Sequence, residues 1–99
     1  MTMRAARAIQ AATCEHFGID PSDLLGGRQY RDLVRARHLA MFLCRQRLGL
    51  SYPELGIAFG YRDHTTVLYA CKSIRKRLDL EPVMSDHLRS VETLLEGGK

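Results

Sequence analysis

The chain has 99 residues, of which 45% are hydrophobic and 26% charged, and its net charge is +4. This length suits a single domain over residues 1–99 and excludes a large enclosed substrate cavity, while the composition excludes a disordered chain. No apolar run reaches the roughly 18 residues that a membrane-spanning helix needs, so we expect no membrane partner.

The first third of the chain is predicted to be helical, because its apolar residues recur at helical spacing and never alternate as in a β-strand. A first helix covers 3–17 and stops at Gly18. A short helical turn follows at 20–25, with Asp20 as its N-cap. Residues 26–31, GGRQYR, are predicted to form a flexible basic loop.

A second long helix is predicted over 31–48, ending at Gly49. Its apolar side consists of Leu33, Ala36, Ala40, Leu43, Cys44 and Leu48. Its opposite side carries Arg31, Arg35, His38 and Arg45. Phe42 falls among the basic residues, so we expect it to lie away from the core, either beneath the 26–31 loop or against a partner.

The next segment begins with a capping box, in which Ser51 and Glu54 cap a short helix over 52–59. Gly60 and Tyr61 then make a turn. A short helix that leads into a tight turn and a longer helix is typical of a helix-turn-helix, here over about 51–78.

The longer helix of this unit is predicted over 64–78, with Asp63 as its N-cap. Asp79 and Leu80 are interpreted as a break, after which a last helix runs over 82–96. The predicted fold is therefore all-α, a compact helical domain that contains a helix-turn-helix.

In a helix-turn-helix the second helix enters the DNA major groove with its first residues at the base edges. Asp63, His64 and Thr65 occupy that place, and their side chains suit it: a carboxylate accepts from cytosine N4, and threonine bonds a base or packs on the thymine methyl. The polar run is equally the pattern of a solvated helix start. Nearby cations that can reach phosphates are Arg35, Arg45, Arg62, Lys72 and Lys76.

The charge distribution supports a polyanion partner. Residues 28–77 hold eleven Lys or Arg and three Asp or Glu, whereas the segments on both sides are net acidic. This pattern indicates one basic face that binds DNA, although a solvated basic surface would look the same. The cysteines are too widely spaced for a disulfide framework, so we expect a reducing cytoplasm and, with DNA as partner, association with the nucleoid.

The run GYRDHTTVLYACKSI at 60–74 resembles the signature of the C-terminal DNA-binding domain (domain IV) of the bacterial chromosomal replication initiator DnaA. DLLGG at 23–27, VRARHLAMFLCRQ at 34–46 and LSYPELGIAFG at 50–60 also look like their counterparts in that family. The resemblance covers roughly residues 5–96. It implies a Trp-repressor-like fold that binds the DnaA box in double-stranded DNA, in replication initiation or its regulation.

The resemblance also implies roles for individual residues. It places Asp63, His64 and Thr65 at bases of the major groove. It places backbone or groove-edge contacts at Arg37, His38, Arg45, Tyr52, Pro53, Arg62, Thr66 and Lys72. Lys76, Arg35 and Tyr69 extend the same faces.

One departure from the family concerns the basic loop, from which family members send an arginine into the minor groove. Gln29 stands at that point here, between Arg28 and Arg31, and we expect Arg28 to make the contact instead. His38 and Tyr52 replace the commoner Gln and Leu, so the preferred site can differ from the standard box.

Catalysis and metal binding are not expected. Asp63, His64 and Thr65 are adjacent at a helix start, where side chains splay apart and do not align as a triad. His38, His64 and His87 lie on separate predicted helices without a Cys pair, which speaks against zinc. There is no G-x-x-x-x-G-K-[ST] loop, so we expect no nucleotide cofactor and no enzyme activity.

Two other functions remain open at this point. The chain could be a stand-alone transcriptional regulator, or a protein-interaction module whose acidic 82–96 helix docks on a replication or regulatory protein. The start MTMRAARAIQ is typical of an ordinary translation start, which favours a free-standing protein over an excised domain. Without coiled-coil heptads, a monomer is expected.

Overall fold

A computed structural model describes residues 2–97, and every regular element in that range is an α-helix. The helices are α1 (Thr2–Phe17), α2 (Pro21–Leu25), α3 (Arg31–Leu48), α4 (Tyr52–Ala58), α5 (His64–Leu80) and α6 (Pro82–Gly97). The all-α prediction is confirmed. Over the same range, none of the helices is long and apolar enough to cross a membrane.

Helix α3 forms the centre of the domain. It packs against α1, α2, α4 and α5, while α6 closes the other side against α1 and α5. All residues from Leu39 to Cys44 are buried, so α3 is enclosed on nearly its whole circumference along that stretch. A helix in this position has no solvent face, and its residues must be apolar all round.

The expectation that Phe42 lies away from the core is wrong. Its side chain is 3% exposed and belongs to the hydrophobic core. Its face of α3 carries basic residues at both ends, but α5 covers the middle, where the Arg75 guanidinium lies 5.5 Å from the Phe42 ring centre. The side of α3 opposite the predicted stripe is therefore also an interior surface.

The predicted helix caps are confirmed. Asp20 Oδ1 accepts a hydrogen bond from the Ser22 amide at the start of α2. At α4, Ser51 and Glu54 form both halves of the capping box, since each side chain accepts from the backbone amide of the other residue. Gly49 ends α3 with φ of 66°, a left-handed conformation that glycine adopts without a Cβ clash.

The end of α5 differs from the prediction. The helix continues through Asp79 and Leu80, and the break lies one residue later, at Glu81. The ring of Pro82 disfavours helical geometry in the residue before it, so Glu81 takes an extended conformation while its amide still donates to Arg77 O at 2.7 Å. Proline, and not the polar Asp79, sets the boundary.

The turn of the helix-turn-helix depends on two glycines. The Arg62 amide donates to Gly56 O at 2.9 Å, and a Cβ on Gly56 would overlap the carbonyl oxygen of Arg62. Gly60 has φ of 88°, and a Cβ there would overlap the carbonyl oxygen of Leu25 at the end of α2. The turn is thus held against both α4 and α2 by close backbone contacts.

Two histidines join α6 to α1. His16 Nε2 and His87 Nδ1 lie 2.8 Å apart, and the Phe17 ring packs on both imidazoles. Burial lowers the pKa of His87 from its ordinary value of 6.5, and His16 and Arg35 lower it further, against a smaller opposite effect of two aspartates. The folded protein therefore favours the neutral form of His87.

We expect stability to fall as the pH is lowered through 6.5, because the unfolded chain then binds the proton that folded His87 resists. The free energy of unfolding in urea is measured at pH 7.5 and at pH 5.5. Its decrease between these two pH values should be smaller in His87→Gln than in the unmodified protein. Thr93→Ala on the same helix is the control, since it removes the Thr93 Oγ1 to Arg89 O bond without a titrating group. An equal pH effect in His87→Gln would contradict the assignment.

Candidate nucleic-acid interface

The first residues of α5 are held open to solvent by a helix cap. Asp63 Oδ1 accepts from the Thr65 amide at 2.7 Å, and this bond lowers the pKa of the Asp63 carboxyl. Within residues 2–97, no hydrogen bond uses Asp63 Oδ2, and the side chain is 69% exposed. One carboxylate can therefore cap the helix with one oxygen and accept from a ligand with the other.

The neighbouring side chains point outward as well. His64 is 64% exposed, with Nδ1 3.7 Å from Asp63 Oδ1, and Thr65 and Thr66 are both exposed. Further along α5, the exposed outer face carries Tyr69, Lys72 and Lys76. By contrast, Val67, Ala70, Cys71 and Ile74 are buried against the core. Helix α5 therefore has one side that anchors it to the core and another that is exposed to solvent.

A basic pocket of about 270 Å³ flanks α5 on the α4 side. The Arg45 guanidinium lies 4.2 Å from the centre of the Tyr52 ring and donates to Leu50 O at 2.7 Å. These contacts fix Arg45 beside Lys72, which lines the same pocket. Arg75 also lines it, and sequence reasoning missed this residue because its position follows only from the packing of α5 on Phe42.

Arg37 does not lie on the surface. The residue is 2% exposed, and its guanidinium donates to four backbone carbonyls. Nε donates to Leu24 O at 2.7 Å, and Nη2 lies within reach of the carbonyls of Asp23, Gly26 and Arg28. A phosphate contact would require Arg37 to leave these carbonyls. In this conformation the Arg37 guanidinium is not available to a phosphate, contrary to the prediction, and its hydrogen bonds hold the 26–30 loop against α3.

Arg62 connects this loop to the helix-turn-helix. It is half-buried, and its Nη2 donates to Gly26 O, the same carbonyl that accepts from Arg37. Its Nε is buried without a hydrogen-bond partner among the described residues. Arg62 was predicted to contact a phosphate, and in the unbound protein its guanidinium faces the loop.

The 26–30 loop presents its other side chains to solvent. Arg28, Gln29, Tyr30 and Arg31, at the start of α3, are all exposed. Pro53 is exposed at the start of α4, and Tyr52 beside it is half-buried. Most of the predicted contact residues in the loop and at the starts of α4 and α5 are thus accessible.

A second basic pocket, of about 350 Å³, lies on the other side of α5, between α5, α3 and the loop. Arg31, Arg35 and His38 were predicted as contacts and line it. Ser73 and Arg77 line it too, and the sequence did not single them out because their place beside the α3 residues follows only from the packing of α5 on α3. Burial lowers the pKa of His38, and the guanidiniums around it lower it further.

Among residues 2–97, no three His, Cys, Asp or Glu side chains come together as metal ligands. Burial raises the pKa of the Cys44 thiol to about 12, and Cys14 and Cys71 are buried too, so the thiols are interior groups and not nucleophiles. The start of α5 thus presents hydrogen-bonding groups to solvent, and a basic pocket lies on each side of this helix.

The bacterial DnaA protein helix-turn-helix is the family whose sequence pattern matches, over residues 6–74. The chain belongs to this family. The matched segment runs from α1 into α5, so it includes α2, α3, α4, the first part of α5 and all residues that line the two basic pockets except Arg75 and Arg77. The resemblance drawn from the sequence is confirmed, and the chain contains the C-terminal, DNA-binding domain of DnaA type.

Individual DnaA proteins give the same result. The chain is 49% identical over 69 residues to the chromosomal replication initiator protein DnaA of a Synechococcus strain, covering 70% of this chain and 15% of that protein. It is 43% identical over 89 residues to DnaA of a Caulobacter strain, covering 90% and 18%. With DnaA of Pelobacter propionicus, identity is 37% over 87 residues, covering 88% and 19%. The chain thus spans less than a fifth of these relatives' length.

Proposed function

We propose that the chain binds double-stranded DNA at a DnaA-box-like site, with the first residues of α5 in the major groove, in replication initiation or its regulation. The observation that carries this proposal is the exposed start of α5, where Asp63, His64 and Thr65 present acceptors and donors beyond the cap. Such groups at the start of the second helix of a helix-turn-helix are suited to base edges.

The two basic pockets support the same proposal. They lie on opposite sides of α5, as the two phosphate backbones lie on opposite sides of the major groove. Arg45 and Lys72 on one side, and Arg31 and His38 on the other, would bind phosphates and set the orientation of α5. Thr66, Tyr69, Lys76 and Pro53 would add contacts at the groove edge, and Arg28 would approach the minor groove from the loop.

The direct test separates base reading from capping. Asp63→Asn keeps an N-cap of equal quality but replaces the carboxylate acceptor with an amide. We expect the ratio of affinities for a DnaA-box duplex and a scrambled duplex to fall about 5- to 150-fold, which corresponds to the ~1–3 kcal/mol of one base contact. His64→Ala should lower the ratio similarly, as measured by fluorescence anisotropy.

Lys72→Ala is the matched control, because Lys72 lies on the same helix and would contact only phosphate. Lys72→Ala should weaken binding to the DnaA-box duplex and to the scrambled duplex by the same factor. It should also reduce the slope of log K against log salt by about 0.9. If Asp63→Asn left the affinity ratio unchanged, Asp63 would not be a base-reading residue. An unbiased selection of bound duplexes would then define the preferred site.

A protein-interaction role for α6 is the second candidate. Leu80 and Val83, at the junction of α5 and α6, are 68% and 49% exposed and would offer apolar contacts to a protein partner. Absence of DNA binding at low salt would favour this role over the first.

A further inference from the structure

A groove of exposed apolar side chains runs between α1, α4 and the end of α2. Met3, Leu25, Ile57 and Tyr61 line it, and all four are exposed. The groove consists of two adjoining hollows of about 220 and 150 Å³, which share Met3 and Ile57. A single exposed apolar side chain is ordinary on a protein surface, whereas a contiguous group of them marks an interaction site. We call this feature the α1–α4 groove, and none of the residues that line it was predicted to contact DNA.

Tyr61 has a backbone conformation that a bulky side chain rarely adopts. Its φ is 60°, and it is the one non-glycine residue in residues 2–97 with a positive φ. This left-handed conformation costs free energy in residues other than glycine, because the Cβ lies too close to a carbonyl oxygen. The side chain is 84% exposed, so the folded monomer gains little from its ring. Since strained residues cluster at functional sites, the conformation of Tyr61 indicates a contact with a partner.

A second apolar surface lies where α5 meets α6. Among the large apolar side chains that are exposed in residues 2–97, four line the groove, and Tyr30 and Tyr69 lie on the 26–30 loop and the outer face of α5. Leu80 and Val83 are the two that remain, and they stand on either side of the break at Glu81. We call residues 79–83 the α5–α6 corner.

The charges beside these two surfaces are of opposite sign. Arg7 lines the groove and is exposed, whereas Asp79 and Glu81 belong to the corner. Within residues 2–97, no salt bridge involves any of these three residues. Glu54 also lines the groove, but its Oε1 already accepts from the Ser51 amide in the capping box. The groove thus has an unpaired cation, and the corner has two unpaired carboxylates.

We propose that the α1–α4 groove binds the α5–α6 corner of a second copy of this chain. Leu80 and Val83 would each enter one hollow, and Asp79 would lie beside Arg7. The two side chains match the two hollows in number and in apolar character, and the charges next to them are complementary. An interface of so few residues is weak, so copies join only where their local concentration is high.

The arrangement of the two surfaces determines what kind of assembly forms. The groove and the corner consist of different residues, so the contact is heterologous, and every pair keeps one free groove and one free corner. Further copies then extend an open chain and do not close a symmetric dimer. The contact uses none of the groups proposed to meet DNA, and it does not depend on the proposed function.

The first measurement is sedimentation velocity over a range of protein concentrations, without DNA. The sedimentation coefficient of the unmodified chain should rise with concentration, whereas Tyr61→Gly and Leu80→Gln should each stay at the monomer value. Tyr30→Gln is the matched control, because Tyr30 is an exposed aromatic residue outside both surfaces, and it should behave as the unmodified chain does. If the unmodified chain stays monomeric at all concentrations, the proposal is wrong.

Urea unfolding of the same variants separates a docking role of Tyr61 from a structural one. Glycine adopts a φ of 60° without strain, so Tyr61→Gly should not lower the urea midpoint even though it abolishes self-association. A loss of association that is accompanied by a lower midpoint would mean that the ring supports the fold, and it would contradict the docking role.

Mixing the two variants tests whether the groove and the corner bind each other. Tyr61→Gly keeps an intact corner and Leu80→Gln keeps an intact groove, so an equimolar mixture should form a 1:1 pair and no larger species. A mixture that stays monomeric would overturn the proposal. So would self-association of Leu80→Gln alone, since the groove would then bind a different surface.

Two charge reversals test the ion pair between the copies. Arg7→Glu and Asp79→Arg each place like charges across the contact, so each variant alone should associate about two- to fivefold more weakly than the unmodified chain. In their equimolar mixture, every contact between unlike variants joins opposite charges, and association should return to the unmodified level. If the mixture associates no better than either variant alone, Asp79 does not lie beside Arg7, and the proposed contact is wrong.

Discussion

Gly60→Ala is expected to lower the free energy of unfolding by about 2–5 kcal/mol. Two effects combine at this position. A non-glycine residue in the left-handed region costs roughly 1–2 kcal/mol, and the added Cβ would overlap Leu25 O, a backbone atom that cannot turn away, which adds roughly 1–3 kcal/mol. The measurement is urea unfolding followed by circular dichroism.

Gly18→Ala provides the matched control. Gly18 also has a left-handed conformation, with φ of 68°, but a Cβ there would meet nothing within 4 Å. It should therefore show the conformational cost alone, about 1–2 kcal/mol. Equal losses in the two variants would mean that the turn moves away from α2 at little cost, and that the contact between Gly60 and Leu25 does not hold the helix-turn-helix in place.

Arg37→Met is expected to destabilise the domain by about 3 kcal/mol. Hydrogen bonds to a charged group contribute about 1.5–3 kcal/mol each, and the backbone carbonyls that Arg37 binds would lose their donor in the variant. Removing a buried charge offsets part of this loss of stability. Arg37→Lys should recover little of it, since one ammonium cannot replace a planar guanidinium that reaches several carbonyls.

Arg47→Met on the same helix is the comparison for this variant. Arg47 is exposed and lies 3.7 and 3.5 Å from Glu92 and Glu96, so its loss should cost at most about 1 kcal/mol. Amide hydrogen exchange adds a second readout, because only Arg37→Met should speed exchange in the 26–30 loop. If Arg37→Met and Arg47→Met lowered the free energy of unfolding by the same small amount, the carbonyl contacts of Arg37 would not determine the loop conformation.

Features that depend on residues close in sequence could be predicted from the sequence. Ser51 and Glu54, three residues apart, form their capping box as expected, and Asp63 caps α5 within two residues. The order of the helices followed from the same local signals. Even the error at the end of α5 was local, since Pro82 and not Asp79 decides where the helix stops.

Features that depend on the packing of distant segments could not be predicted. Arg37 looks like any arginine on a basic helix, and only the fold brings the carbonyls of residues 23–28 around its guanidinium. Phe42 was misplaced because a single apolar stripe was assumed for a helix that other helices enclose. Arg77 joins the second basic pocket only because α5 packs on α3.

The shared carbonyl of Gly26 has a consequence for the choice of binding site. Because Arg37 and Arg62 both donate to it, the 26–30 loop and the start of α5 cannot shift relative to each other without breaking one of these bonds. On a duplex, the distance between the two segments would be fixed by the protein, and DNA of a different groove width or twist would have to deform. Sites with identical contacted bases should therefore differ in affinity according to the stiffness of the base steps between them.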